Sequence, residues 1–405
     1  MADAILVLNA GSSSLKFAAF ERLAELPVLM RGSLTSLQSK PRMSVSSAED
    51  EQTTQTDFAD RPIGPKKHWN SSLPSLTGAG CFNPSARSVT RSFTVDAISL
   101  PRRSSNRQHS RNSARLPLWL RFINHTISKS SSWLAASCRT PCRSVALTPR
   151  FHAERPRLAT LYALPRALTE SGIMSFGFHG ISYGHIASQL RERYGPTAGG
   201  RAVVAHLGSG ASLCAMREGK SVATTMGFSP LDGLVMSTRS GSLDPGVILY
   251  LLQDRKMLAD EISQLLYDRS GLLGVSGISG DMQRLLDLDD PHAAEAVDLF
   301  VYRAGREIGS LAAALGGLDT LVFTAGIGEN SPLIREKICE AAAWLGVTID
   351  AERNREGDER IGASGAAVDV LVIPTDEERA VAAQMLSVAP LEAIPRQRNE
   401  RNPAK

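Results

Sequence analysis

Val203-Val204-Ala205-His206-Leu207-Gly208-Ser209-Gly210-Ala211-Ser212-Leu213 reads as a strand, a Gly/Ser turn and a return strand. Leu6-Val7-Leu8-Asn9-Ala10-Gly11-Ser12-Ser13-Ser14-Leu15 reads the same way. Either one alone is an ordinary hairpin. Two of them, about 200 residues apart, suggest a duplicated domain with one copy in each half of the chain.

Outward from the second hairpin the pattern alternates. Asp290-Pro291 is an N-cap followed by a proline at N1, and the apolar series Ala294, Val297, Leu299, Phe300 and Ile308 runs on to Gly316-Gly317, a natural stop. Residues 321–324 are a buried strand, followed by Ala325-Gly326-Ile327-Gly328-Glu329-Asn330, and Ser331-Pro332 opens a helix ending near Gly346. Residues 368–373 form a strand, and Thr375 caps a last helix through Leu386. Strands alternating with helices predict an α/β architecture. A chain of 405 residues is too long for one ordinary core, so two domains are expected.

No apolar run is long enough to span a bilayer, and the N-terminus has no basic region of the secretory kind. Cys81, Cys138, Cys142, Cys214 and Cys339 lack paired metal-ligand spacing, which predicts free thiols and a cytoplasmic setting. The formal charge of +4 is unevenly spread. Residues 33–150 carry seventeen Lys and Arg against six Asp and Glu, a net of +11 that leaves −7 for the rest.

Three glycine-bearing bends follow buried strands: residues 11–14, 208–210 and 326–328. Glycine lets a backbone approach an anion closely, and successive N–H groups converge on it. Neither the Walker A pattern nor G-x-G-x-x-G is present. Lys16 follows the first bend within reach of a phosphate, and Asn9 ends the strand before it. His179 lies in Phe176-Gly177-Phe178-His179-Gly180, placed to donate to a transferring phosphoryl group. Arg239 lies in Thr238-Arg239-Ser240-Gly241-Ser242, suited to a carboxylate or phosphate. With Thr375 as N-cap, Glu378 completes a capping box, so Glu377 is the freer carboxylate for Mg²⁺.

These stretches, with LYALPRAL, GFSPLDGLVMSTRSGSLDPG, SGDMQ, TAGIGENSPLIRE and VIPTDEE, resemble the acetokinase family, within the superfamily of acetate and sugar kinases, heat-shock chaperone ATPases and actin. The resemblance covers the first thirty or so residues and nearly everything from Phe151 to about Ser387. It implies duplicated actin-like ATPase (ribonuclease H-like) domains with a nucleotide cleft between them. It also implies reversible transfer of a phosphoryl group from ATP to acetate, giving acetyl phosphate and ADP, with propionate or butyrate as alternative acceptors. Residue by residue, it implies Asn9 and Glu377 at Mg²⁺ (or Mn²⁺), and Ser12, Ser13, Ser14 and Lys16 at the ATP phosphates. His206, Leu207, Gly208, Ser209 and Gly210 would form a second phosphate loop. Asp281, Met282 and Gln283 would lie at the adenosine, with Gln where the family has Arg. Gly326, Ile327, Gly328, Glu329 and Asn330 would complete the nucleotide site. His179 and Arg239 would stabilise the transition state. A homodimer is implied, and neither nucleic acid nor membrane is an expected partner.

The resemblance fails over residues 33–150. The family's catalytic aspartate falls on Thr148 when Phe151-His152 is aligned without a gap, and neither Arg91 nor His125 sits in the family's surrounding motif. This Ser- and Arg-rich stretch, without sustained periodicity, reads as coding translated out of frame. The alternatives are a basic insert that binds RNA or an acidic surface, or a nucleotide-binding remnant without catalysis. The expected organisation is an N-terminal domain over residues 1–150 that is aberrant from 33 onward, a nucleotide-binding domain over 151–387 and a loose tail over 388–405.

Overall fold

The computed structural model describes residues 4–10, 15–21, 23–35, 42–47, 54–57, 88–93, 145–146 and 148–388. They fall into two compact units. The first holds the described residues up to 146 together with the helix Glu377–Val388, and the second runs from Thr148 to Asp376.

The second unit is built on five strands: β8 (Arg201–Leu207), β9 (Ala211–Arg217), β10 (Lys220–Thr224), β11 (Thr320–Thr324) and β12 (Asp369–Val372). Their order is β10-β9-β8-β11-β12. The β8–β9 and β9–β10 pairs are antiparallel, while β8–β11 and β11–β12 are parallel. Side chains alternate across this sheet, so each strand feeds two cores. Val203, Ala205, Leu207, Leu213, Ala215, Leu321 and Phe323 join the buried stripe of the helix Pro291–Leu315. Ala202, Val204, Cys214, Met216 and Val322 join Tyr183, Ile186, Ala187 and Leu190 of the helix Gly180–Tyr194. One helix therefore covers each face.

The helix Pro291–Leu315 begins as its sequence demands. The Asp290 carboxylate accepts from the N–H groups of His292 and Ala293, at 2.8 and 3.1 Å. Gly316 ends it in the left-handed conformation, at φ 74°.

The first unit repeats the same plan. Its strands are β1 (Ala4–Ala10), β2 (Leu15–Glu21), β3 (Val28–Thr35), β4 (Arg42–Ser47), β5 (Thr54–Asp57), β6 (Ser88–Phe93) and β7 (Val145–Ala146), in the order β5-β4-β3-β2-β1-β6-β7. From β3 through β7 the sequence of pairings is antiparallel, antiparallel, parallel, parallel. This matches β10 through β12 strand for strand, and it bears out the duplication and the α/β fold expected from the two hairpins.

Two expectations are corrected. Residues 33–150 were read as lacking sustained periodicity, yet their described residues supply β4 to β7. Ladder hydrogen bonds are made by main-chain groups that every non-proline residue carries, so composition alone does not forbid them. The last helix was assigned to the second domain, but Glu377–Val388 packs on β1 and β2 of the first. Position in the chain does not reveal such a return. No helix among the described residues is long and apolar enough to cross a membrane.

The helices Pro291–Leu315 and Pro332–Ala341 approach closely at Gly305, where an ideal Cβ would lie 2.7 Å from the Ala341 Cβ. Gly305→Val is therefore expected to cost about 2 kcal/mol by overpacking. The measurement is the urea midpoint, and an unchanged midpoint would contradict the contact.

Candidate active site

Sheet parity assembles the site. His206 and Ser212 are cross-strand partners on β8 and β9. Both lie on the face covered by the helix Gly180–Tyr194, and that helix brings Ser182 and Tyr183 in its first turn. The His206 Nδ1 lies 2.9 Å from the Ser182 hydroxyl, which also accepts from the Thr375 hydroxyl at 2.9 Å.

His179 is the residue before this helix and adopts a left-handed conformation at φ 56°. That conformation costs an L-residue about 1–2 kcal/mol, and here it turns the ring over the end of the sheet. The ring stacks on His206 with centroids 4.2 Å apart. Its Nδ1 lies 2.8 Å from the Ser212 hydroxyl, which is 2.5 Å from the Tyr183 hydroxyl. Burial, then His206 and Arg239, hold the His179 pKa well below the usual histidine range, so the ring is neutral.

The bend at 208–210 faces this ring. An ideal Cβ on Gly210 would sit 3.4 Å from His179 Nε2 and 3.6 Å from an Arg239 terminal nitrogen. His179, Arg239 and the second bend therefore converge, as their sequence contexts suggested. The Arg239 guanidinium donates to the Pro230 carbonyl at 3.2 Å.

The adenosine candidates lie one loop further out. Ser237 N–H donates to the Ser209 carbonyl at 3.1 Å, and Gly280 packs against the Ser237 carbonyl. Asp281 caps the helix Met282–Leu286 through the Arg284 N–H. Met282 points into the core, and Gln283 donates to Asp287 on the surface.

The third bend also borders the second: an ideal Cβ on Gly208 would lie 3.6 Å from that of Ala325. It is not a hairpin turn, because Ala325–Asn330 is a short helix that includes Ile327. Glu329 turns inward, its carboxylate accepting from the N–H groups of Ala325 and Thr375 at 2.7 and 3.0 Å. Arg335, fully buried, donates to the carbonyls of Gly328 and Glu329 and to both oxygens of Asn354. Gly326 and Asn330 remain exposed. Arg335 and Glu329 thus hold the bend in shape from behind, a role that shows only once the side chains are placed.

In the first unit, Asn9 on β1 is the cross-strand partner of Lys16 on β2. The Asn9 amide donates to Glu377 at 2.7 Å and to Glu378 at 3.0 Å. The expected capping box is therefore not formed. The helix starts at Glu377, Thr375 gives its hydroxyl to Ser182, and Glu378 joins Glu377 at Asn9. Burial raises the Glu378 carboxyl above its ordinary value; the Asn9 hydrogen bond opposes this, and the Glu377 charge adds to it. Among the described residues no group of three or more His, Cys, Asp or Glu could hold a metal. An amide with two adjacent carboxylates, one of them largely desolvated, suits a hard cation completed by water and phosphate, which is how Mg²⁺ binds. Ser12, Ser13 and Ser14 lie outside the described residues.

Thr148 opens the short helical turn Thr148–His152. Four residues on, buried His152 bonds the Ser221 hydroxyl at 2.8 Å and the carbonyl of Phe178, the neighbour of His179, at 2.9 Å. Gly177 is required beside it, because at φ 80° a Cβ would meet the His152 ring at 2.7 Å. Burial lowers the His152 pKa to about 3.

The sequence model of the acetokinase family matches residues 140–383. The acetate kinase of Rhodopseudomonas palustris (strain TIE-1) is 43% identical over 410 residues, spanning 96% of this chain and 99% of that protein. A propionate kinase from Francisella tularensis superposes with a TM-score of 0.77 at 26% identity, covering 94% of this chain and 98% of its own. The acetate kinase of Porphyromonas gingivalis superposes with a TM-score of 0.74 at 27% identity, covering 96% and 100%.

His152 is neutral in the folded chain and protonates near its ordinary pKa when unfolded. Its contribution to stability is complete above about pH 6.5 and is lost as pH falls toward 3, at about 1.4 kcal/mol per pH unit. His179 adds in the same direction. Urea midpoints should therefore fall between about pH 7 and pH 5, and less steeply in His152→Gln. Equal slopes would place the pH dependence elsewhere.

Proposed function

The chain belongs to the acetokinase family, and we propose that it is an acetate kinase, moving the γ-phosphoryl group of ATP to acetate to give acetyl phosphate and ADP. The observation that carries this reading is the convergence of His179 and Arg239 on the space in front of Gly210.

The chemistry asks little covalent work of the protein. A carboxylate is already anionic at neutral pH, so the nucleophile needs no general base. One carboxylate oxygen forms the new bond to phosphorus, the bond to the bridging oxygen breaks, and its electron pair leaves on ADP. Catalysis is then positioning and neutralisation of charge on the equatorial phosphoryl oxygens. Arg239 supplies a permanent positive charge, and neutral His179 supplies a hydrogen-bond donor. The bend at 208–210 offers backbone close to the phosphates, and the family resemblance gives Lys16 a phosphate-binding role as well. Glu377, with Asn9 and Glu378, would hold Mg²⁺, which neutralises phosphate charge when bound. Asp281 and the exposed edge at Gly326 and Asn330 would border the nucleoside.

Two settings complete the reading. The helix Pro245–Gln253 buries no residue in this chain, and Val247, Leu249, Tyr250 and Leu252 are exposed along it. This apolar helix would join two copies in a homodimer. A cytoplasmic location suits the substrate ATP and, among the described residues, the buried free thiols Cys214 and Cys339.

A second reading, a nucleotide-binding protein without turnover, is favoured by one residue: Thr148 offers no carboxylate where the family motif carries aspartate. Trapping of acetyl phosphate as hydroxamate separates the two. The chain as it stands is expected to turn over slowly and Thr148→Asp faster, while His179→Gln and Arg239→Ala each cost about 10²-fold. Acetate, propionate and butyrate compared in one assay report the acyl preference. ATP binding without turnover in both the native chain and Thr148→Asp would support the second reading. Sedimentation of Leu249→Glu is expected to show a monomer where the native chain is dimeric; an unchanged mass would remove this helix from the interface.

A further inference from the structure

We propose that Ser212, buried between Tyr183 and His179, is a positioning residue that fixes the tautomer of His179, so that its Nε2 carries the ring proton toward the space in front of Gly210. The argument is one of proton accounting. Tyr183 and Ser212 are both fully buried. Their hydroxyl oxygens are 2.5 Å apart, and the Ser212 oxygen is 2.8 Å from His179 Nδ1. Three groups in a row share two hydroxyl protons, with one ring proton to place.

If Tyr183 donates to Ser212 and Ser212 donates to Nδ1, every buried proton has an acceptor. Nδ1 is then the bare nitrogen of a neutral imidazole, and the ring proton is on Nε2. If Nδ1–H donates to Ser212 instead, a proton is stranded. Should Ser212 pass its own proton to Tyr183, the phenol proton has no acceptor. Should Tyr183 donate, the serine proton has none. Leaving a buried donor unpaired is the costlier state, and it should disfavour the Nδ1–H form by about tenfold or more. Burial keeps Tyr183 from ionising, so the chain has a fixed starting donor.

The neighbouring ring repeats the device. The Thr375 hydroxyl donates to Ser182, whose oxygen is 2.9 Å from His206 Nδ1. The two stacked imidazoles are thus hooked through the same nitrogen to serines from different elements. An ideal Cβ on Gly210 would lie 3.4 Å from His179 Nε2, and one on Gly208 would lie 4.0 Å from His206 Nε2. Burial and its neighbours keep the His179 ring neutral in this stack, and the hydroxyl chain selects which of its nitrogens donates. That this donor meets a phosphoryl oxygen rests on the kinase reading; the tautomer itself does not.

The test is nitrogen NMR of the full chain carrying ¹⁵N-histidine, without substrate. The chain has eight histidines, and His179→Gln identifies the signals of interest by their loss. In the native chain the His179 Nε2 is expected to appear as a protonated, pyrrole-type nitrogen and Nδ1 as a pyridine-type one. Ser212→Ala is expected to bring the two tautomers to within a few-fold of each other, while Ser212→Thr and Tyr183→Phe keep the native pattern, because in both a hydroxyl proton at 212 still needs Nδ1 as its acceptor. A native His179 protonated at Nδ1, or a Ser212→Ala spectrum matching the native one, would overturn the proposal. Should the Ser212 variants fail to fold, the native spectrum decides alone. A silent kinase assay leaves this result standing, and a reversed tautomer leaves the kinase reading standing.

Discussion

Gly210 has no side chain, and the space this leaves is shared by His179 Nε2 and an Arg239 nitrogen. A methyl group there would sit in van der Waals contact with both and would fill that space. The rest of the second unit serves that small space. The β8–β9 hairpin carries the bend to it, and the helix Gly180–Tyr194 aims His179 at it from an unfavourable backbone conformation. Arg335 and Glu329 hold the adjoining bend from behind.

The electrostatics of the space are divided between two kinds of donor. Arg239 brings charge that no pH near neutrality removes. His179 brings direction without charge, because burial and the neighbouring cations make protonation unfavourable. His179 stacks on His206 at 4.2 Å as a neutral ring. In the first unit the balance is reversed: Asn9 gathers two carboxylates, one held above its ordinary pKa.

Much of this was legible beforehand where the signal was local. The Gly/Ser bend between Leu207 and Ala211, Asp290-Pro291 as a helix start and Gly316 as a stop all depend on a few adjacent residues, and these appear as read. The two similar hairpins did report a duplication, since the pairing order of one sheet repeats in the other. Reading failed where two equally plausible local roles competed. Thr375 and Glu378 fit a capping box by spacing, but Ser182 and Asn9 offered better partners from far along the chain. Met282 sits in a recognised motif yet points into the core, because its helix presents that face inward. Residues 33–150 lack periodicity, which measures side-chain burial and says nothing of main-chain pairing.

The sequence by itself determined the residue types around the candidate site, the family and the alternation of strands and helices, because each is written within a dozen neighbouring residues. Only the tertiary structure decided which hydroxyls face which imidazole nitrogens, and that Glu378 stands beside Glu377. Ser212 becomes the partner of His179, and Tyr183 of Ser212, through sheet parity meeting the first turn of a helix. Hydrogen bonds are set by distances of a few tenths of an ångström between groups some thirty residues apart, and no linear spacing encodes them.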